Sequence, residues 1–179
     1  AEYLTPFDPY FLDVMVMLEG PSDKHWMGTD ELGRDVFSRI IFGAQVSLQV
    51  GVCAVLVGLT GGVIVGVLAA YYGGYVDQIL MRFMDIVFCF PAILLAVILM
   101  ANFGTSVFNA MLAIGIIFIP GFARLTRAIT QTVQRQAFLE AAVCLGLPGY
   151  KIIFREILPN VLGPLLVEAT VAFSYAVLL

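Results

Sequence analysis

Residues 140–160 read EAAVCLGLPGYKIIFREILPN, a polar and charged interval that separates two strongly apolar runs of the chain. Alanine, leucine and glutamate favour helix over residues 140–145. Gly146 is a natural helix stop, because glycine adopts the left-handed cap conformation without a Cβ penalty. Pro148 suits the first turn of a second helix, where its missing N–H costs nothing. The stretch therefore predicts a bent helix–turn–helix at the edge of a membrane.

The composition around this interval is that of an integral membrane protein. Of the 179 residues, 61% are hydrophobic and 12% are charged, whereas soluble domains are about 45–50% apolar and about 25% charged. No charged residue occurs in 40–76 or in 86–123. Each run exceeds the ~20 residues that an α-helix needs to cross the hydrocarbon core. The pattern predicts an all-α polytopic membrane protein.

The chain divides into an N-terminal polar segment, residues 1–43, and a transmembrane domain, residues 44–179. Pro91 and Pro120 stand within apolar runs, where proline removes a backbone hydrogen bond and kinks a helix. Residues 129–156 form a polar loop before the last span. The predicted spans are about 44–70, 79–101, 107–128 and 157–179.

The polar segment contains eight acidic and three basic residues. Thr29 or Asp30 can cap a helix start, and Asp30→Arg34 and Asp35→Arg39 are acid-first i,i+4 pairs, the better orientation. An apolar stripe follows, formed by Val36, Phe37, Ile40 and Ile41. These features predict an amphipathic helix that lies on the membrane surface and leads into the first span. A loop helix that faces solvent fits the same periodicity equally well.

Lysine and arginine counts predict the orientation of the spans. The side of the membrane that holds the 71–85 turn and the 124–155 loop has six of the nine basic residues. The other side has the remaining three, together with many acidic residues that offset their charge. Residues 140–160 are therefore expected in the cytoplasm and residues 1–43 outside the cell.

Two smaller patterns concern contacts between helices. Gly62 and Gly66 form a step of two small residues that lets membrane helices approach closely, although glycine is also simply frequent in such helices. Arg82 and Asp85 are spaced i,i+3 and are expected to form an ion pair at the boundary of the second span.

Three motifs typical of enzymes are absent from the sequence. It contains no glycine-rich phosphate loop with a following Lys-Ser or Lys-Thr, no His-Glu-x-x-His and no nucleophile elbow. Cys53, Cys89 and Cys144 have no metal or disulfide spacing and are interpreted as small apolar residues. His25 stands alone. No basic stripe suggests nucleic acid, so we expect neither an enzyme nor a metal site.

Residues 140–160 closely resemble the EAA loop of ABC-importer permeases, whose pattern is Glu-Ala-Ala, a glycine four residues later and an Ile–Leu–Pro ending. The matching residues are Glu140, Ala141, Ala142, Gly146, Ile157, Leu158 and Pro159. The common form places one residue between the isoleucine and Leu-Pro, whereas here Glu156 stands at that isoleucine position. The two small alanines beside the bend would let another protein surface approach closely. We call residues 140–160 the EAA segment.

A second stretch, GTDELGRD at 28–35, closely resembles the segment after the first helix in permeases of the dipeptide, oligopeptide and nickel branch. The residues that carry this resemblance, and that we expect in the external helix, are Gly28, Thr29, Asp30, Gly33, Arg34 and Asp35.

The resemblance implies a type I ABC-importer permease fold in a prokaryotic inner membrane, with four of six expected helices present, one missing before Ala1 and one after Leu179. Two homologous permeases would form the pathway for peptides or a related small solute. Two ATP-binding subunits would dock beneath, with the EAA segment as the docking element of this chain, and an external solute-binding protein would deliver the substrate. ATP would be bound by those subunits, so this chain would hold no cofactor. It would contact membrane lipid, and it would bind no nucleic acid. The expected ATPase-coupling residues are Glu140, Ala141, Ala142, Gly146, Leu147, Pro148, Ile157, Leu158 and Pro159.

Two other functions remain open, an ion-coupled secondary transporter or channel and a structural membrane anchor. Glu168 bears on the first, because at ~1.5 Å per residue it lies ~16 Å beyond Ile157, near the bilayer midplane. A charged group there costs ~2.5–3.5 kcal/mol when it faces lipid. Glu168, with Tyr175 two turns further, is interpreted either as a lining of the substrate pathway or as a packing residue between permease subunits.

Overall fold

The computed structural model describes residues 5–178, which form mostly turns and bends before Val36 and helices joined by short turns from there on, without a strand. Residues 1–4 and 179, at the ends of the predicted external segment and last span, lie outside the described part. The elements are a 3-10 turn Val14–Val16, α1 Val36–Tyr72, α2 Gly74–Cys89, α3 Ala92–Phe103, α4 Val107–Gln134, α5 Ala137–Cys144, α6 Gly149–Lys151, a π-helical turn Ile152–Ile157 and α7 Leu158–Leu178. The predicted all-helical architecture is confirmed.

The chain separates into two units, Ala1–Gln49 and Val50–Leu179. In the first unit, the expected surface helix over 28–35 is wrong, because these residues form turns and an isolated antiparallel bridge between Thr29 and Asp35. Gly28 and Gly33 have φ of 73° and 70°, which a continuous helix excludes. Helix begins only at Val36, and α1 then continues without a break to Tyr72.

Two ion pairs had been expected in this unit, and one of them forms. Arg34 Nε donates to Asp30 at 2.8 Å, which confirms the first pair. The Asp35–Arg39 pair is wrong, since Arg39 pairs with Asp30 and Asp35 lies 3.0 Å from His25 Nδ1. The reason is that Asp35 precedes the first residue of α1 and its carboxylate caps that helix by accepting the Ser38 N–H at 2.8 Å.

In the described residues, three helical stretches are long and apolar enough to cross a membrane, Val36–Tyr72, Val107–Gln134 and Gly149–Leu178. The predicted span 79–101 consists of two helices, α2 and α3, which together are long and apolar enough to cross a membrane but are bent by 91°. Pro91 was expected to kink one helix, but Phe90 is extended and Pro91 is the N-cap of α3. Proline cannot donate to the helix and pushes the preceding residue out of the helical region, so the helix breaks completely.

Four glycines of α1 in the second unit, Gly58, Gly61, Gly62 and Gly66, lie against α4. A Cβ added at Gly66 would lie 2.5 Å from the Ala123 carbonyl oxygen and 2.6 Å from the Thr126 Cβ, and one at Gly62 would overlap Phe122. The interpretation that these glycines permit close helix packing is therefore confirmed. Pro120 lies inside α4 without ending it.

Candidate functional site

The EAA segment forms the predicted helix–turn–helix. Its first helix, α5, is followed by Leu145 and then by Gly146, whose φ is 72°. The Gly146 N–H donates to the Val143 carbonyl at 2.9 Å and the Leu147 N–H to the Ala142 carbonyl at 3.2 Å. This pair of bonds is a Schellman motif, which ends a helix through a left-handed residue. The predicted role of Gly146 as the helix stop is confirmed.

The second helix starts one residue later than the sequence predicts. Pro148 is the N-cap of α6 rather than part of its first turn, and its carbonyl accepts the N–H groups of Lys151 and Ile152. A π-helical turn follows over Ile152–Ile157 and runs directly into α7. Such turns insert extra backbone into a helix and occur frequently at functional sites. Ile157, Leu158 and Pro159 thus lie at the junction between this turn and the last membrane helix.

One face of the segment is anchored in the core of the second unit. Ile157 has no exposed surface, and it belongs to one apolar cluster with residues of α4, α5 and α7. The anchoring residues of the segment and its neighbours are Val133, Leu139, Ile152, Ile157, Val161 and Leu165. The segment therefore shares one packed apolar cluster with α4 and α7.

The opposite face of the EAA segment carries large apolar side chains that are exposed. Leu145 is 81% exposed and Phe154 is 69% exposed, and Val143 and Tyr150 are also exposed. Charged side chains of Glu140, Lys151 and Arg155 stand among them. Contiguous exposed apolar surface with a polar rim is typical of a site that binds another protein.

The structure separates the sequence-predicted coupling residues into three groups by burial. Ala142 and Ile157 are buried, Leu147 and Leu158 are half-buried, and the exposed ones are Glu140, Ala141, Gly146, Pro148 and Pro159. Of the two alanines expected beside the contact surface, only Ala141 lies on it. The sequence analysis missed Tyr150 and Phe154 as surface residues, although their spacing of four places them on one side of a helix.

The residues predicted for the external helix are brought together in a closed turn of the first unit. The Thr29 hydroxyl donates to the Val16 carbonyl and accepts the Glu19 N–H, and Gly33 touches the backbone of Asp13. Asp30 accepts the Leu32 and Arg34 N–H groups, each at 2.9 Å. The turn is held by its own polar groups.

These hydrogen bonds change the acidity of both aspartates. Burial raises the pKa of Asp30, but the N–H groups and guanidinium of Arg34 and the N–H of Leu32 outweigh it and lower the pKa to about 2. Burial likewise raises the pKa of Asp35, and the hydrogen bonds from Ser38 and His25 bring the net pKa below its usual value. Both carboxylates are therefore held ionised at neutral pH.

A charged groove lies between α2 and α4, and it corrects the expected Arg82–Asp85 pair. Asp85 instead accepts from Arg124 of α4 at 2.8 Å, and Asp77 pairs through both oxygens with Arg127 of the same helix. Arg124 also lies 4.3 Å from the centre of the Phe88 ring. The partners of Asp77 and Asp85 are arginines of a different helix, α4. The i,i+3 spacing of Arg82 and Asp85 within α2 carries no information about such partners.

Glu168 and Tyr175 are both exposed on α7, whereas Val161, Leu165, Ala172 and Ala176 form its buried stripe. Among the described residues, Glu168 makes no hydrogen bond or ion pair. The structure thus leaves its predicted role in a substrate pathway untested.

Comparison with known proteins places these features in context. The family model described as "Binding-protein-dependent transport system inner membrane component" matches residues 62–179. A dipeptide transport system permease protein of Alkalihalophilus pseudofirmus is 45% identical over 161 residues, 90% of this chain and 53% of that protein. Glutathione transport system permease proteins of Pectobacterium atrosepticum and of Escherichia coli are 43% and 40% identical, covering 93% and 99% of this chain and 56% and 59% of theirs. The chain spans between about half and three fifths of the length of these relatives.

Proposed function

We propose that this chain, which belongs to the family of binding-protein-dependent transport system inner membrane components, acts as a permease subunit of an ATP-driven importer. The family and the membrane-capable helices make it a multi-pass inner-membrane protein. The observation that supports the coupling role is the EAA segment, which is anchored in the helix core on one face and exposes apolar side chains on the other.

The proposed mechanism is alternating access. One of two ATP-binding subunits would dock on the face that carries Leu145 and Phe154, and closure of the dimer of these subunits would move α5. The buried contacts of Leu139 and Ile157 would transmit this movement to α4 and α7. ATP would be bound and hydrolysed by those subunits, so this chain is proposed to be non-catalytic and to hold no cofactor.

The remaining partners and the orientation belong to the same proposal. A second homologous permease would complete the pathway, and an external solute-binding protein would deliver the substrate. The EAA segment would lie in the cytoplasm and the turn around Thr29 outside, in keeping with the distribution of basic residues. The relatives named for dipeptide and glutathione transport support small peptides as the substrate class.

The experiment that tests this function replaces one docking side chain. Leu145→Asp should reduce co-purification of the ATP-binding subunits and ATP-dependent transport by about tenfold or more, because it puts a charge into an apolar contact. Leu32→Asp is the matched control, since Leu32 is an exposed leucine of the first unit. Transport by wild type and Leu145→Asp that runs on an ion gradient without ATP would instead establish a secondary transporter.

Glu168 is proposed to line the substrate pathway, since an exposed carboxyl on a membrane helix should face protein or water rather than lipid. Glu168→Gln should then impair transport of cationic dipeptides more than that of neutral ones, while basal ATPase activity persists. Equal transport of the two classes would leave the alternative role, contact between permease subunits.

A further inference from the structure

The groove between α2 and α4 has a volume of about 720 Å³ and lies outside the EAA segment. Its charged residues are two aspartates and three arginines, which gives the groove a net charge of +1 when all are ionised. The charged residues lining it are Asp77, Arg82, Asp85, Arg124 and Arg127.

Arg82 carries this excess positive charge. Both aspartates are already paired, Asp77 with Arg127 and Asp85 with Arg124. Arg82 is exposed, and within residues 5–178 its side chain has no hydrogen bond or ion pair. Its guanidinium presents several N–H donors in the planar arrangement that suits a phosphate group. The groove is thus electrostatically incomplete, and an anion is the ligand that would complete it.

Apolar side chains occupy the same groove. Ile79, Phe83 and Ile86 line it and are all strongly exposed. The helix that carries them, α2, is bent by 91° from α3, which has no charged residue. If α3 enters the hydrocarbon core, α2 runs along the membrane surface with one charged and one apolar side, as interfacial helices do.

We infer that this groove binds an anionic phospholipid, with the phosphate at Arg82 and the acyl chains against Ile79, Phe83 and Ile86. A free phosphate would satisfy Arg82 but make no contact with the apolar side chains, whereas a phospholipid uses both halves of the groove. Basic pockets beside membrane helices bind anionic headgroups in this way. The inference does not depend on the transport function.

The test uses the full-length permease in its assembled transporter, with lipid retention measured by native mass spectrometry after incubation with phosphatidylglycerol or phosphatidylcholine vesicles. Arg82→Gln should weaken phosphatidylglycerol retention about tenfold, roughly what one charge-assisted contact supplies. Arg82→Lys keeps the charge and should retain most of the binding. Arg135→Gln is the matched control, because Arg135 is an exposed arginine outside the groove.

A second variant addresses the apolar half of the site. Phe83→Gln should also weaken phosphatidylglycerol retention, while the ion pairs of Asp77 and Asp85 remain. Equal retention by wild type and Arg82→Gln, or equal binding of phosphatidylcholine, would overturn the inference. Displacement of the lipid by inorganic phosphate at similar concentration, with Phe83→Gln unaffected, would also overturn it and identify a site for free anions.

Discussion

The turn around Thr29 in the first unit and the EAA segment in the second each adjoin a long membrane-capable helix. They differ in how far their side chains form hydrogen bonds within the chain. In the turn, Thr29, Asp30 and Asp35 form hydrogen bonds with nearby residues of the same unit. In the EAA segment, the one side-chain hydrogen bond within the described residues is local, from the Asn160 amide to the Glu156 carbonyl at 2.7 Å, and Leu145 and Phe154 are exposed. The difference indicates that the first region is stabilised from within, whereas the second is open to a partner.

The largest expected effect concerns which side of the membrane each region faces. Within the turn, Thr29 is only 7% exposed whereas Glu31 is exposed, so Glu31 is the position suited to labelling. In a chain whose only cysteine is Glu31→Cys, a membrane-impermeant thiol reagent added outside should react. A chain that keeps only Cys144, also exposed, should react only after the membrane is opened. The reverse pattern would invert the proposed orientation.

The next effect compares two glycines with nearly the same backbone. Gly33 has φ of 70° and Gly146 has φ of 72°, but a Cβ at Gly33 would overlap the Asp13 carbonyl, whereas one at Gly146 meets nothing within 4 Å. Gly33→Val should therefore destabilise the first unit by several kcal/mol, the sum of backbone strain of ~1–3 kcal/mol and overpacking of ~1–3 kcal/mol.

Limited proteolysis of the assembled permease would measure this loss in the first unit. Gly20→Val is the matched control, since Gly20 has open space around it and no positive φ. If both variants resist protease equally, the turn is not held by the close approach to Asp13.

Gly146→Val should have a smaller effect on stability, strain of ~1–3 kcal/mol confined to the end of α5. Because this residue ends the helix that the ATP-binding subunits are proposed to contact, stimulation of ATPase activity by the solute-binding protein should be lost while membrane insertion persists. Gly146→Asn should retain most stimulation, since asparagine tolerates the left-handed cap. Full stimulation in reconstituted vesicles with Gly146→Val would show that the cap plays no part in coupling.

The smallest effect is a pH dependence limited to the first unit. The pKa of Asp30 is lowered to about 2 and that of Asp35 is lowered as well. Their stabilisation is therefore fully present above the unfolded pKa of about 4 and is lost as pH falls toward 2. The protection factors of amide hydrogen exchange in residues 28–38, which correct for the intrinsic pH dependence of exchange, should fall over this window. Asp30→Asn should reduce the dependence, whereas Asp23→Asn, at an exposed position, should leave it unchanged.

The sequence by itself determined the membrane class, the helical architecture and the position of the bend in the EAA segment. Each of these depends on properties that act over a few neighbouring residues: long uncharged apolar runs, and a glycine followed by Leu-Pro. Gly146 adopts its predicted left-handed conformation because no other residue type does so as cheaply. Spacing alone likewise identified Asp30 and Arg34 as a pair.

Only the tertiary structure decided which residues meet across the chain. Asp35 was predicted to pair with Arg39, but it caps the start of α1 and contacts His25. Asp85 was predicted to pair with Arg82, but it pairs with Arg124. In both cases the observed partners come from other turns of the chain. The burial of Ala142 beside the exposed Ala141 follows from the orientation of α5 against the core. Pattern reasoning sees one helix at a time, whereas charge pairing and burial depend on the surfaces that folding brings together.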